Sequence, residues 1–179
     1  MNKDIVLKNF KALNVSDDYI IGARGYRILK YFFLTNKFEP LYNVIDKKNE
    51  LLSQFKLTRR LFRAEITGLY HLKNKTDLVI AKNGIFRREV NSKIFTKCFS
   101  IIRGSRPLNM CVTDDDVVYF GEYFSNASKQ EVYIYISKDY GKTWETVYKF
   151  DKGSINHIHG IFFDPFTHYI WVVTGDREE

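Results

Sequence analysis

Cysteine, methionine, tryptophan and proline are all scarce in this 179-residue chain, at two, two, two and three residues. Two cysteines, Cys98 and Cys111, cannot build a disulfide framework, and neither belongs to a Cys-x-x-Cys pair of the kind that holds a metal. Free, buried thiols are the expectation, as in a reducing compartment. No apolar run approaches the roughly 20 residues of a membrane helix. The start, Met1-Asn2-Lys3-Asp4, leads into a stretch broken by Lys8 and Lys11 and lacks the apolar core of a signal peptide. These absences argue against a membrane partner and for a cytoplasmic location.

What the chain has in quantity is aromatic side chains, 12 Tyr and 15 Phe, within a sequence that is 45% hydrophobic. Aromatic and β-branched residues fit the half-buried surface of a sheet, so an all-β protein is expected and disorder is excluded. The net charge is +7, from 28 Lys and Arg against 21 Asp and Glu. An excess of that size suggests an anionic partner, an acidic saccharide, a nucleic acid or an anionic lipid, although most of the lysines read as an ordinary soluble surface. The basic residues are scattered, and no motif supports nucleic-acid binding.

Self-similarity organises the chain. Asp18 to Arg27 resembles Asp77 to Arg87 with one residue inserted, Asp116 to Glu122 is a looser copy, and His168 to Asp176 is a fourth. Each copy leaves a polar turn, runs through a short apolar strand and ends at glycine or a charge. Four-stranded units built around them predict strands at 18–24, 27–33 and 41–45, preceded by one within 5–15. A second unit falls at 66–72, 77–81, 85–88 and 94–101, a third at 108–113, 117–123, 131–137 and 144–150, and a fourth opens at 157–163 and 169–174. Between the first two, residues 47–64 carry Leu51, Leu52, Phe55, Leu61 and Phe62 at near-helical spacing, which predicts a short helix packed on a sheet edge.

Ser137-Lys138-Asp139-Tyr140-Gly141-Lys142-Thr143-Trp144 is the most specific motif. Asp139 can accept bonds from the N–H groups of its own turn, Gly141 supplies positive φ, Thr143 can bond back, and Trp144 opens the next strand. Every fixed position serves a tight hairpin and none serves catalysis. This segment resembles the Asp box, or bacterial neuraminidase repeat, of sialidases and many other β-propellers. Residues 103–176 are also similar to bacterial proteins labelled glycosyl hydrolase, BNR repeat, through Arg103-Gly104-Ser105-Arg106-Pro107, Gly121-Glu122-Tyr123, His157-Ile158-His159-Gly160 and Thr174-Gly175-Asp176. The resemblance implies a β-propeller of four-stranded antiparallel blades. At about 40–50 residues per blade, about three and a half blades fit into one partial propeller domain spanning 1–179. The last strand is expected to offer an open edge and so to favour self-association.

Strand direction sorts the loops between two faces. Opposite the Asp-box face lie Arg24, Arg103, Arg106, Glu122, Tyr123, His157 and Asp176. Arginine fits carboxylate through a planar fork, which makes Arg24, Arg103 and Arg106 candidates for an acidic saccharide. None has the Arg-Ile-Pro context of the sialidase triad, and Arg106-Pro107 is a partial echo. His157 and His159 are two apart and therefore share a side of a strand, as ligand contacts or as a metal pair completed by Asp176 or Glu122. No further spacing supports a metal, so none is expected, nor any other cofactor. Glu122, Tyr123, His157 and Asp176 are the catalytic candidates, although adjacent Glu122 and Tyr123 point to opposite faces of a strand and cannot form a sialidase-like Glu–Tyr pair with each other. His71 and His168 stand alone. The readings that result are an acidic-glycan propeller that binds or hydrolyses its ligand, a non-catalytic recognition or scaffold propeller, and a lyase with His157 or Tyr123 as base.

Overall fold

Short alternating strands separated by polar turns can satisfy their backbone only by pairing, and they pair with their nearest neighbours in sequence. The computed structural model describes residues 6–44, 53, 55–61 and 64–175. They fall into two compact units, 1–66 and 67–179.

The first unit is an antiparallel meander of β1 (Lys11–Val15), β2 (Tyr19–Arg24), β3 (Arg27–Phe32) and β4 (Lys37–Asn43), in that spatial order. Its core is Ala23, Tyr26, Ile28, Leu29, Tyr31 and Val44. The last strand begins four residues earlier than the expected 41–45. β4 is an outer strand, where Pro40, a residue without an N–H, is tolerated. Within the segment expected to be helical, the described residues include α1 (Lys56–Leu61), while residues 45–52, 54, 62 and 63 lie outside the described ones. Of the apolar residues that carried the expectation, Phe55 and Leu61 are exposed, and Leu51, Leu52 and Phe62 lie outside the described residues.

The second unit repeats the meander. Its first sheet is β5 (Gly68–His71), β6 (Asp77–Ala81), β7 (Gly84–Arg88) and β8 (Thr96–Ser100). The next is β9 (Cys111–Val112), β10 (Val118–Gly121), β11 (Val132–Ser137) and β12 (Glu145–Phe150). The last is the pair β13 (Ile158–Phe163) and β14 (Ile170–Thr174). Every residue of β6 is buried, whereas β8 has none buried and β12 is almost wholly exposed.

Period-two alternation glues these sheets together. Val118 and Phe120 of β10 face the preceding sheet and join Leu72, Leu78, Ile80, Ile85 and Met110. Tyr119 turns the other way, toward a layer of Cys111, Val132, Ile134, Ile155, Ile158 and Ile161. Burying each such side chain contributes about 1.5–3 kcal/mol. Four-stranded antiparallel meanders stacked face on face, with an outer strand left to solvent, are the blades of a β-propeller. Among the described residues three blades have four strands and a fourth contributes two.

Candidate functional site

The Ser137–Trp144 turn joins β11 to β12. Asp139 accepts from Thr143 N at 2.9 and 3.1 Å, from Thr143 Oγ1 at 2.6 Å and from Ser137 Oγ at 2.9 Å. Ser137 Oγ in turn accepts from Gly141 N at 2.9 Å. Burial opposes ionisation of Asp139, but the Thr143 and Ser137 bonds outweigh it and hold the carboxyl below its ordinary value. Gly141 has φ of 79°, and a Cβ there would lie 2.5 Å from Leu78 of the preceding blade. Arg87 Nε donates to Tyr140 O at 2.9 Å, a second tie to that blade. Trp144 packs on Phe99 and Phe120 at centroid distances of 6.0 and 5.1 Å. The turn is thus a hairpin device and an inter-blade clamp.

Away from this turn, the structure gathers four of the candidate residues around Glu122. Arg103 grips its carboxylate with both arms, Nε at 3.0 Å from Oε1 and Nη2 closer still to Oε2, and donates Nη1 to Glu131 O at 2.7 Å. The guanidinium lies between the rings of Phe124 and Tyr133, at 4.6 and 4.8 Å. Glu122, only 9% exposed, also accepts from Tyr133 N at 3.0 Å and Tyr135 Oη at 3.4 Å. Its own carbonyl accepts from Ile158 N at 3.0 Å and so reaches the next blade. Arg106 lines the same pocket, together with Tyr123, Phe99 and Tyr135. The enclosed space is about 30 Å³, room for one or two water-sized groups but not for a sugar ring.

Tyr123 follows Glu122 just beyond the end of β10. Its ring meets His157 at 4.5 Å and His159 at 5.8 Å, and the two imidazoles lie 4.8 Å apart. Both ring nitrogens of His157 and Nε2 of His159 are enclosed by protein atoms rather than turned to solvent. Among the described residues, no group of three His, Cys, Asp or Glu side chains is placed to hold a metal. Asp176 lies outside the described residues, and Arg24 belongs to the first unit.

Two arrangements escaped the sequence. The tyrosine beside Glu122 is Tyr135, on the next strand, and burial followed by the charge of Glu122 pushes its hydroxyl up to about 12. It stays protonated and donates. His71 is also not alone. Its Nδ1 is 2.6 Å from Asp77 Oδ1, and Asp77 binds Arg88 Nε at 2.8 Å through the other oxygen. The register Asp77↔Arg88 across a tight hairpin was the available signal. Burial pushes both thiols up to about 11, which keeps Cys98 and Cys111 protonated and unreactive.

No protein-family model and no curated protein matches this chain. Solved structures do. YCF48 bound to D1 peptide aligns with a TM-score of 0.54 and 14% identity, over 97% of this chain and 52% of that one. The extracellular domain of a one-component system from B. thetaiotaomicron aligns at 0.55 and 12%, over 97% and 21%. Atg21, in its complex with the coiled-coil of Atg16, aligns at 0.51 and 13%, over 92% and 49%. The chain spans about half or less of each. At these identities the likeness carries the fold alone, a β-propeller. Among the described residues no helix is long and apolar enough to cross a membrane.

Proposed function

We propose that this chain is a non-catalytic recognition or scaffold propeller. The observation that carries the reading is the saturation of Glu122. A carboxylate held by an arginine fork, a backbone N–H and a tyrosine has no oxygen left to attack a sugar or take a proton from a nucleophile. Tyr135, protonated and buried, is no nucleophile either. Two of the similar structures were solved with polypeptides, D1 peptide and a coiled-coil, which favours a polypeptide as the partner recognised. The test is turnover of fluorogenic sialosides and of unsaturated-product release from uronate polymers. No turnover is expected, and Glu122→Gln should lower the melting temperature. Turnover that Glu122→Gln abolishes without changing the melting temperature would overturn the reading.

Within this reading Ser137 to Trp144 is an Asp box, a view supported by the bonds that Asp139, Thr143 and Ser137 make. The 1–179 chain then forms one partial propeller domain, and its two free cysteines fit a reducing, cytoplasmic setting. Binding of an acidic saccharide is the second reading. It is favoured by the +7 charge and by the exposed guanidinium of Arg24. Sialyllactose should then bind and lactose should not, with Arg24→Ala weakening the complex. Equal binding of the two sugars would remove this second reading.

A further inference from the structure

The β9–β10 and β13–β14 hairpins are two copies of one device. Val117 O accepts from Thr113 N at 2.9 Å, and Tyr169 O accepts from Asp164 N at 2.9 Å. Each turn ends on a residue at positive φ, Asp116 at 59° and His168 at 58°. Trp171 therefore stands where Tyr119 does, and Val173 where Gly121 does. Those two positions of β10 face the following blade. Tyr119 packs on the layer that contains Ile155, Ile158 and Ile161, and a Cβ on Gly121 would lie 2.6 Å from Ile158. Ile170 and Val172 take the places of Val118 and Phe120 and, like them, face the preceding blade.

The outward face of β13–β14 is thus a blade-to-blade surface by position and by chemistry, yet it lies open. Trp171 is 59% exposed, and Tyr169 and Val173 share its side through period-two alternation. Phe162 stands directly opposite Trp171 in the register and is exposed too. At the hairpin tip, Asp164 accepts from Phe166 N at 3.0 Å and from Thr167 Oγ1 at 2.6 Å, which fixes the turn that presents the exposed Phe166. The outer strands of the other blades carry charge: Lys37 and Glu39 in β4, Lys97 in β8, Glu145 and Lys149 in β12. Charges of that kind protect an exposed strand from unwanted pairing. β13 and β14 contain no Lys, Arg, Asp or Glu.

We infer that this face packs against the same face of a second copy of the chain, about a two-fold axis. The contact is made by side chains of the face and not by adding a strand at the edge of β14. Two features select a second copy over a foreign polypeptide. The two strands have no charge with which to recognise an oppositely charged partner, and none to repel their own copy. Phe162, Phe166, Tyr169 and Trp171 together offer roughly 500 Å² of aromatic surface. Two copies then bury about 1,000 Å², the size at which a specific interface becomes possible. The contact is independent of whether the Glu122 cluster acts on a ligand.

The experiment is sedimentation equilibrium of the full chain over a wide range of concentration. A monomer–dimer equilibrium is expected, and added sodium chloride should not weaken it, because no ion pair holds the face. Phe162→Lys and Trp171→Lys each bring two like charges together at the axis and should raise the dissociation constant about tenfold or more. Leu34→Lys, at an exposed apolar residue of the first unit, should leave the dimer unchanged. Circular dichroism should show all three variants folded, since each replaces an exposed side chain, and Tyr169→Lys serves if either face variant fails to fold. A monomer at every concentration would overturn the assignment and leave the face to another polypeptide. A dimer that survives both face variants would overturn it by placing the contact elsewhere, and growth into open-ended oligomers would overturn the two-fold arrangement.

Discussion

Strands β6 and β14 read alike in sequence and behave oppositely in the fold. Asp77-Leu78-Val79-Ile80-Ala81 is buried at every position, while Ile170-Trp171-Val172-Val173-Thr174 is buried at none. Both are short apolar runs after a polar turn. The difference comes from neighbours. β6 lies between two strands of its own sheet and packs Leu78 and Ile80 against the next blade. β14 pairs with β13 alone and leaves Trp171 and Val173 exposed, as are Phe162 and Tyr169. Apolar character therefore marks a strand but does not say whether it stabilises the domain or presents a surface.

The comparison breaks most sharply at the charged end of β6. Asp77 and Arg88 form a buried pair, with side chains 4% and 9% exposed. Arg88→Ala strands an uncompensated carboxylate and should cost about 3–5 kcal/mol in urea unfolding. Burial raises the pKa of Asp77, but the His71 and Arg88 bonds outweigh it and leave the group below its ordinary value. Its contribution is therefore complete above the ordinary carboxylate range and is lost as pH falls through the depressed value. The parent should lose stability on acidification more steeply than Asp77→Asn does. Equal acid slopes would mean that the pair does not act as described.

Leu78→Ala, in the same strand, should cost about 2–5 kcal/mol through a cavity between blades. Asp139→Ala should cost less, about 1–3 kcal/mol, because it strands the N–H of Thr143 and the hydroxyl of Ser137 in a largely exposed turn. A drop in partner binding at unchanged melting temperature would instead make that turn part of a recognition surface. Trp171→Ala closes the series. It should change stability by less than about 0.5 kcal/mol, as an exposed substitution does. Its effect belongs in association. Sedimentation velocity over a range of concentrations should show self-association that Trp171→Lys weakens, and a concentration-independent monomer would separate exposed apolar character from function altogether.

The strand series was legible because period-two alternation and polar turns are local properties. All fourteen strands fall within or beside their expected segments, apart from the early start of β4. The Ser137–Trp144 turn was legible for the same reason, since each hydrogen bond among Ser137, Asp139, Gly141 and Thr143 spans four residues or fewer. What was not legible is long-range. Arg103 and Glu122 were placed on one face but not against each other, because nothing local encodes a contact across 19 residues. Tyr135 was read as a strand residue, and its hydroxyl reaches Glu122 only through the register of β10 with β11.

The central claim is that Glu122 and Arg103 hold blades together rather than act on a substrate, and a double-mutant cycle tests it most directly. Arg103→Met, Glu122→Gln and the double variant would be compared by chemical unfolding of the full chain. Each single change should cost about 3–5 kcal/mol by leaving its partner buried and unpaired. The double variant should cost little more than either single one, a coupling of about 2–3 kcal/mol. Single variants that keep the parent's stability within about 0.5 kcal/mol, add independently and lose only ligand binding or turnover would contradict the account.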